Sequence, residues 1–205
     1  MKALPGTQKT NALLADIAFI KLHKRFPIKG VMITPFISWS VFMIVFSVMI
    51  VTFAMQLYQG QEDDGSLFAL VILSVFLILA VFAMIRYWRS FQFVSMSSPG
   101  STRDNAGKLN RFFRAHQLLA YQLPEHEGVF QIQSKPLPRG SKEIEREVVV
   151  FIADDDCILV NHHFTDSGFN PFTSRRNFKV IANQLGDWLK GNAASTIKVP
   201  PTNQP

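Results

Sequence analysis

Two stretches of this chain carry no charged side chain long enough to matter more than anything else in it. Phe36–Tyr58 (FISWSVFMIVFSVMIVTFAMQLY) runs for 23 residues without an acid or base, and Leu67–Ile85 (LFALVILSVFLILAVFAMI) for 19. A helix rises about 1.5 Å per residue, so each run reaches across a hydrocarbon core of roughly 30 Å. A buried core helix would explain one such run. Two of them, separated by only a short polar loop, predict a helical hairpin in a membrane, with spans at 36–58 and 67–88. A secretory leader does not fit, because the first run is too long, starts too late and lacks a small-residue cleavage site after it. The first span is therefore expected to remain in the mature protein.

The flanking charges set an expected orientation. Lys2, Lys9, Lys21, Lys24, Arg25 and Lys29 precede the first span against one acid, Asp16, giving residues 1–35 a net charge of +5. The loop at 59–66 holds Glu62, Asp63 and Asp64 and no base. Arg86, Arg89, Arg103, Lys108, Arg111 and Arg114 follow the second span. Basic flanks stay on the cytoplasmic side, which predicts an inner-membrane, multi-pass protein with both termini cytoplasmic and the acidic loop outside. Trp39, Tyr87 and Trp88 then fall at one interface. The single cysteine, Cys157, excludes an internal disulfide framework and suits a reducing compartment.

Outside the spans, residues 1–35 read as a basic cytoplasmic lead-in, with a helix over Asn11–Arg25 resting at the interface and ended by Pro27. Residues 89–103 read as a linker, flexible at Ser95–Thr102 (SMSSPGST). A soluble domain is expected over 104–191. Asp104 or Asn105 is placed to cap a helix reaching Leu123, with Leu109, Phe112, Phe113, Leu119, Ala120 and Leu123 on one arc. His116 falls within that stripe, as a packed residue or, with partners, a ligand or acid/base group. Gly128–Ser134 alternates like a half-buried strand, and a proline-bearing loop follows at Lys135–Lys142. Glu147–Ala153 and Cys157–Asn161 read as central strands of a hairpin turned by Asp154–Asp156. The last helix, capped by Ser174, sets Phe178, Ile181, Ala182, Leu185, Trp188 and Leu189 on one face and ends at Gly191. Residues 192–205 read as a disordered tail. The fold class is two transmembrane α-helices plus a cytoplasmic α/β domain, in the order helix, three strands, helix.

The hairpin stretch ADDDCILVNHHF (Ala153–Phe164) concentrates the chemistry-bearing side chains. Three aspartates form a solvated turn, or bind Mg²⁺ if other oxygen ligands converge on them. Side chains alternate along a strand, so His162 and His163 cannot both serve one metal without a bulge. The turn and the histidines lie about 15 Å apart at opposite ends of a strand, so one site cannot use both.

The segments AGKLNRFFRAHQLL, EVVVFIADDDCILVNHH and NPFTSRRNFKVIANQLGDWL together resemble the nuclease-related domain (NERD) family, a relative of the restriction-endonuclease fold, over about residues 104–190. The resemblance implies metal-assisted phosphodiester cleavage in active members, with an acid opening the first long strand and an E-x-K pair late in the second. Here the first acid falls at Val148, with Glu147 one position away. The E-x-K positions read Asn161, His162 and His163, and the acid of the opening helix corresponds to Lys108. The resemblance thus implies a degenerate site, with no cofactor and no metal site. The leading expectation is a non-catalytic module whose basic residues Arg175, Arg176 and Lys179 meet an acidic partner, nucleic acid phosphate or anionic lipid head groups. One alternative is a membrane-tethered nuclease using Glu147, Asn161, His163 and His116 with Mg or Mn. The other is a ligand-sensing effector whose spans, through Ser40, Ser47 and Ser74, assemble a homo-oligomer.

Overall fold

The computed structural model describes residues 13–28, 33–59, 64–124, 126–133, 137–139, 143–145, 147–164 and 176–196. The chain divides into two units: residues 27–90 form one, and residues 1–26 together with 91–205 form the other.

The first of these is the apolar hairpin, α2 (Ile33–Tyr58) and α3 (Asp64–Ser90). The two helices run antiparallel. Phe36 meets Tyr87 and Trp88 with ring centroids 5.1 and 5.7 Å apart, and Phe46 meets Phe76 halfway along at 6.2 Å. Trp39 lies at the same end of the hairpin as Tyr87 and Trp88, one turn beyond Phe36. Both helices are long and apolar enough to cross a membrane, and their most apolar windows bury none of α2 and only 17% of α3 within the molecule. Ile37, Val41, Ile44, Val48, Leu67, Val71 and Ile78 all point outward. A core helix of a water-soluble protein would cover such side chains, because each one left in water forfeits on the order of 1.5–3 kcal/mol of burial.

The other unit is built on a five-stranded antiparallel sheet in the order β1-β7-β6-β3-β2. The strands are β1 (Val94–Ser97), β2 (Ala120–Gln122), β3 (Val129–Gln133), β6 (Glu147–Asp154) and β7 (Cys157–Phe164). A separate two-stranded ribbon joins β4 (Leu137–Arg139) to β5 (Glu143–Glu145), within what reads in sequence as a proline-bearing loop. The order helix, three strands, helix is therefore too simple. Two short edge strands extend the sheet, and one of them, β1, lies inside the expected linker. Its alternation of Val94 and Met96 with Ser95 and Ser97 fits a strand half covered by a core, and it pairs with β7 from Val94↔Val160 to Ser97↔Cys157.

Register assigns every side chain to one of two faces. The front face carries Phe130, Ile132, Glu147, Val149, Phe151, Ala153, Ile158, Val160, His162 and Phe164. It is covered by α4 (Thr102–Ala115) through Leu109, Phe112 and Phe113, and by α5 (Arg176–Thr196) through Ile181 and Leu185, with Trp188 packed edge-on to Phe112. The back face carries Val129, Gln131, Val148, Val150, Ile152, Leu159, Asn161 and His163, all buried. The segment before the spans belongs to this unit. Leu13, Leu14, Ile20 and Phe26 are buried, and Lys21 of the short helix α1 (Ile17–His23) pairs at 3.1 Å with Asp154 on the back face. The expected interfacial helix over Asn11–Arg25 is thus shorter. It stops at Lys24, whose left-handed backbone (φ 52°) comes before Pro27 is reached.

Paired backbone ties the two halves of this unit together. Phe26 N–H donates to the Phe91 carbonyl at 3.0 Å and Phe93 N–H to the Lys24 carbonyl at 2.7 Å, forming an antiparallel bridge at Arg25↔Gln92. The Phe26 and Phe93 rings pack 4.6 Å apart beside it. The chain therefore leaves this unit and returns to it at adjacent positions.

Helix α4 begins and ends elsewhere than the sequence predicts. Ser101 is the N-cap, and Asp104 is the third residue of a capping box rather than the cap itself. The helix stops at Ala115. Leu118 N–H donates to the Phe113 carbonyl and Gln117 N–H to the Arg114 carbonyl, with Gln117 left-handed at φ 53°. That is a Schellman ending with glutamine where glycine is usual, which hides the stop from a sequence reader. Leu119 is consequently 78% exposed, Ala120 opens β2, and the expected stripe ends at Phe113. Helix α5 runs through Gly191, so residues 192–196 are helical and not part of a tail. Ser174 and residues 197–205 lie outside the described residues. Because a left-handed backbone strains a side chain that glycine lacks, Gln117→Gly should raise stability by about 0.5–1 kcal/mol. Chemical denaturation of the full chain in detergent, read against the parent, measures that gain.

Candidate functional site

The residues singled out by the sequence lie on β6, β7 and the turn between them. The hairpin forms because both strands are β-branched or apolar on both faces, as suits the centre of a sheet covered twice. Its register pairs Val148 with His163, Val149 with His162 and Val150 with Asn161.

On the back face, Asn161 and His163 project side by side, with Gln131 in the same cross-strand row as Asn161. Asn161 is 2% exposed and His163 fully buried. The Asn161 side-chain oxygen accepts the His162 N–H at 2.7 Å, and His163 Nδ1 lies 3.4 Å from the Phe164 carbonyl. Val148, the position of the acid in the resembling family, shares this face and is a fully buried aliphatic residue.

Glu147 is one residue away and therefore on the front face, also fully buried. Its Oε1 accepts the N–H of Phe178, in the first turn of α5, at 3.3 Å. A carboxylate there satisfies a helix-terminal donor and complements the helix dipole. His162 lies on the same face, stacked on the Phe178 ring at 4.7 Å and edge-on to Phe164 at 5.8 Å. The front-face pair thus seats the start of α5.

The three residues expected to share a site do not share a face. Asn161 and His163 lie together and Glu147 lies across the sheet from them. A divalent ion needs its ligands converged at about 2.0–2.3 Å, and among the described residues no three His, Cys, Asp or Glu side chains are gathered to hold one. These residues do not fit the Mg or Mn that the nuclease alternative requires. His116 is not in the core stripe either. It is the exposed C-cap of α4, with its ring 4.6 Å from that of Phe112. Lys179 is exposed on α5. Arg176 starts that helix, but its side chain, like the whole of Arg175, lies outside the described residues.

The three aspartates form the turn, as expected, and also a clasp that the sequence reading misses. Asp155 accepts from the N–H and the hydroxyl of Thr102 at 2.8 and 2.9 Å. Asp156 sits left-handed (φ 59°), accepts the Gly100 N–H at 3.2 Å, and donates its own N–H to the Gly100 carbonyl at 2.9 Å. The Asp154 carbonyl accepts the buried Asn105 amide at 2.8 Å, and that amide also holds the Ser98 carbonyl at 2.8 Å. Lys108 donates to Ser98 Oγ, Asn105 Oδ1 and the Pro99 carbonyl, so its ammonium braces the same loop. The sequence does hold a signal for this arrangement. Ser101-Thr-Arg-Asp104 has the spacing of a capping box, and a helix start beside an acidic turn has free N–H groups to offer.

Hydrogen bonds from Thr102 hold the Asp155 carboxyl below the ordinary aspartate value of about 3.8, and those from Ser101 do the same for Asp104. A carboxylate with a lowered folded value stabilises the fold above the unfolded value and loses that contribution as pH falls through the folded one. Asp155→Ala should therefore lower the melting temperature at pH 7, and its gap to the parent should close as pH is taken below about 3.8. A gap that stays constant across that acid range would refute a role for the charge. No family model, no curated protein and no solved structure matches this chain, so the placement of its residues carries the functional reading.

Proposed function

We propose that the chain is a multi-pass inner-membrane protein that presents a non-catalytic α/β module of the NERD type at the cytoplasmic face, where it binds or scaffolds an acidic partner. The observation that carries the reading is the bridge between residues 24–26 and 91–93. A segment with both ends joined in one folded unit enters and leaves the bilayer on one side. The basic excess before and after the hairpin, against the acidic loop at 59–66, then selects the cytoplasmic side.

The non-catalytic half of the reading draws on parity. With Val148 on the back face and Glu147 on the front, Asn161 and His163 have no carboxylate neighbour on their own strand pair. Hard divalent cations favour oxygen ligands, and one amide oxygen is a poor replacement for two carboxylates. The acidic partner is assigned to Arg175, Arg176 and Lys179. Bases at a helix start oppose the helix dipole, so an external anion would supply their counter-charge.

Two measurements test the halves separately. In a Cys157→Ser background, a membrane-impermeant thiol reagent applied to intact cells should modify Gln61→Cys and spare Asn192→Cys, and the reverse pattern would overturn the orientation. The purified chain should show no Mg²⁺- or Mn²⁺-dependent cleavage of single- or double-stranded DNA or RNA. Cleavage by the parent that disappears in His163→Ala would sink the non-catalytic reading.

A further inference from the structure

The outer surface of α1 sets an exposed apolar side chain among bases. Ile20 turns inward and is fully buried, while Leu22, on the opposite side, is 78% exposed. Ala18 beside it is also exposed, and Phe19 is half-buried with its ring stacked 4.1 Å from His23. Around this apolar patch stand three bases in a row. His23 is exposed with Nδ1 3.1 Å from the Phe19 carbonyl, Lys24 is exposed, and the Arg25 guanidinium lies 5.8 Å from the Phe19 ring centroid. Lys21 is already committed to Asp154. Among the described residues no acid pairs with Lys24.

Lys24 also occupies a backbone position that lysine does not favour. Its φ of 52° is left-handed, where glycine fits without strain, and its N–H closes the helix on the Ile20 carbonyl at 2.7 Å. A glycine would close the helix equally well. Lys24→Gly therefore removes the side chain without straining the backbone. Along the chain, Lys24 is hydrogen-bonded to Phe93, and Phe91 directly follows Ser90, the last residue of α3.

We propose that Leu22–Arg25 is a membrane-surface foot: Leu22 enters the acyl boundary of the leaflet, and Lys24, with His23 and Arg25 beside it, binds the phosphate head groups of anionic lipids. The inference rests on the proposed membrane insertion of α2 and α3 and adds the lipid class and the residues. An exposed leucine among bases matches the two-part attraction of interfacial segments, apolar burial plus charge. Helix α4 shows Arg103, Arg111 and Arg114 with only the small Ala115 exposed beside them, and on α5 the exposed Val180 stands beside one exposed base, Lys179.

The full chain is reconstituted in nanodiscs of phosphatidylcholine, with or without one part in three of phosphatidylglycerol. In a Cys157→Ser background, nitroxides are placed at Leu22→Cys or, as the span control, at Ile44→Cys, and their relative access to oxygen and to a soluble nickel chelate is read. Ile44 should be lipid-exposed in both compositions and Leu22 in the anionic discs alone. Adding Lys24→Gly, which suits the backbone, should reduce the inserted fraction at Leu22 about fivefold while leaving the melting temperature equal or higher. A lipid-exposed Ile44 with Leu22 in water in both compositions overturns the foot and leaves the spans standing. Insertion of Leu22 regardless of lipid charge and of Lys24→Gly overturns the head-group assignment. A nickel-accessible Ile44 overturns the membrane reading beneath it.

Discussion

Two backbone hydrogen bonds, one from Phe26 to Phe91 and one from Phe93 to Lys24, join the two parts of the sheet unit that the apolar hairpin separates in sequence. They close a folded unit across an apolar insert. If the insert were a flexible loop of its length, closing it would cost on the order of 4 kcal/mol in chain entropy, more than two hydrogen bonds of about 1 kcal/mol each return. The insert is instead an antiparallel helical hairpin, with Phe36 against Tyr87 and Trp88 at its open end. Folding the hairpin brings its ends near each other, so little closure entropy is left for the bridge to offset. The bridge in turn continues into β1, whose pairing with β7 connects it to the centre of the sheet.

What the sequence reveals follows the strength of its periodic signals. The two apolar helices, the β6–β7 hairpin and the inward face of α5 are all legible, since each rests on several residues repeating at the right period. The failures cluster at short elements. β1 has four residues and β2 three, too few to show a period, and β1 is followed by Ser-Pro-Gly, which reads as a linker. Gln117 stops α4 in the left-handed conformation without the glycine that announces such a stop, so the sequence pattern carries Leu119 and Ala120 past the point where the helix ends. The N-terminal segment misleads for another reason. Its membership in the sheet unit depends on contacts with residues more than sixty positions later, which no local pattern records.

The acidic turn shows how the same residues answer two different questions. As a local motif, Asp154–Asp156 is a turn, and the structure keeps it as one. Its charges are matched by groups from three separate places: the N–H groups at Gly100 and Thr102 and the ammonium of Lys21. Oxygen atoms that accept from protein donors in this geometry are oriented toward the loop between β1 and α4. Clustered carboxylates, in a chain with a positive net charge, here serve to dock a helix start onto a hairpin.

Strand parity carries the last step. Side chains on a strand alternate between faces, so an offset of one residue cannot be absorbed by small adjustments. Had Glu147 stood at 148, it would lie beside His163 and near Asn161, and a carboxylate–amide–imidazole cluster would exist on the back face. At 147 it instead faces α5 and caps it through Phe178. Moving it back would require a bulge in a strand whose eight residues pair without interruption with β7. The sequence alone shows an acid near the expected place; the register shows that this acid has a different occupation. The polar residues of the back face, Gln131, Asn161 and His163, are interior groups on a buried sheet face, with Asn161 accepting the His162 N–H.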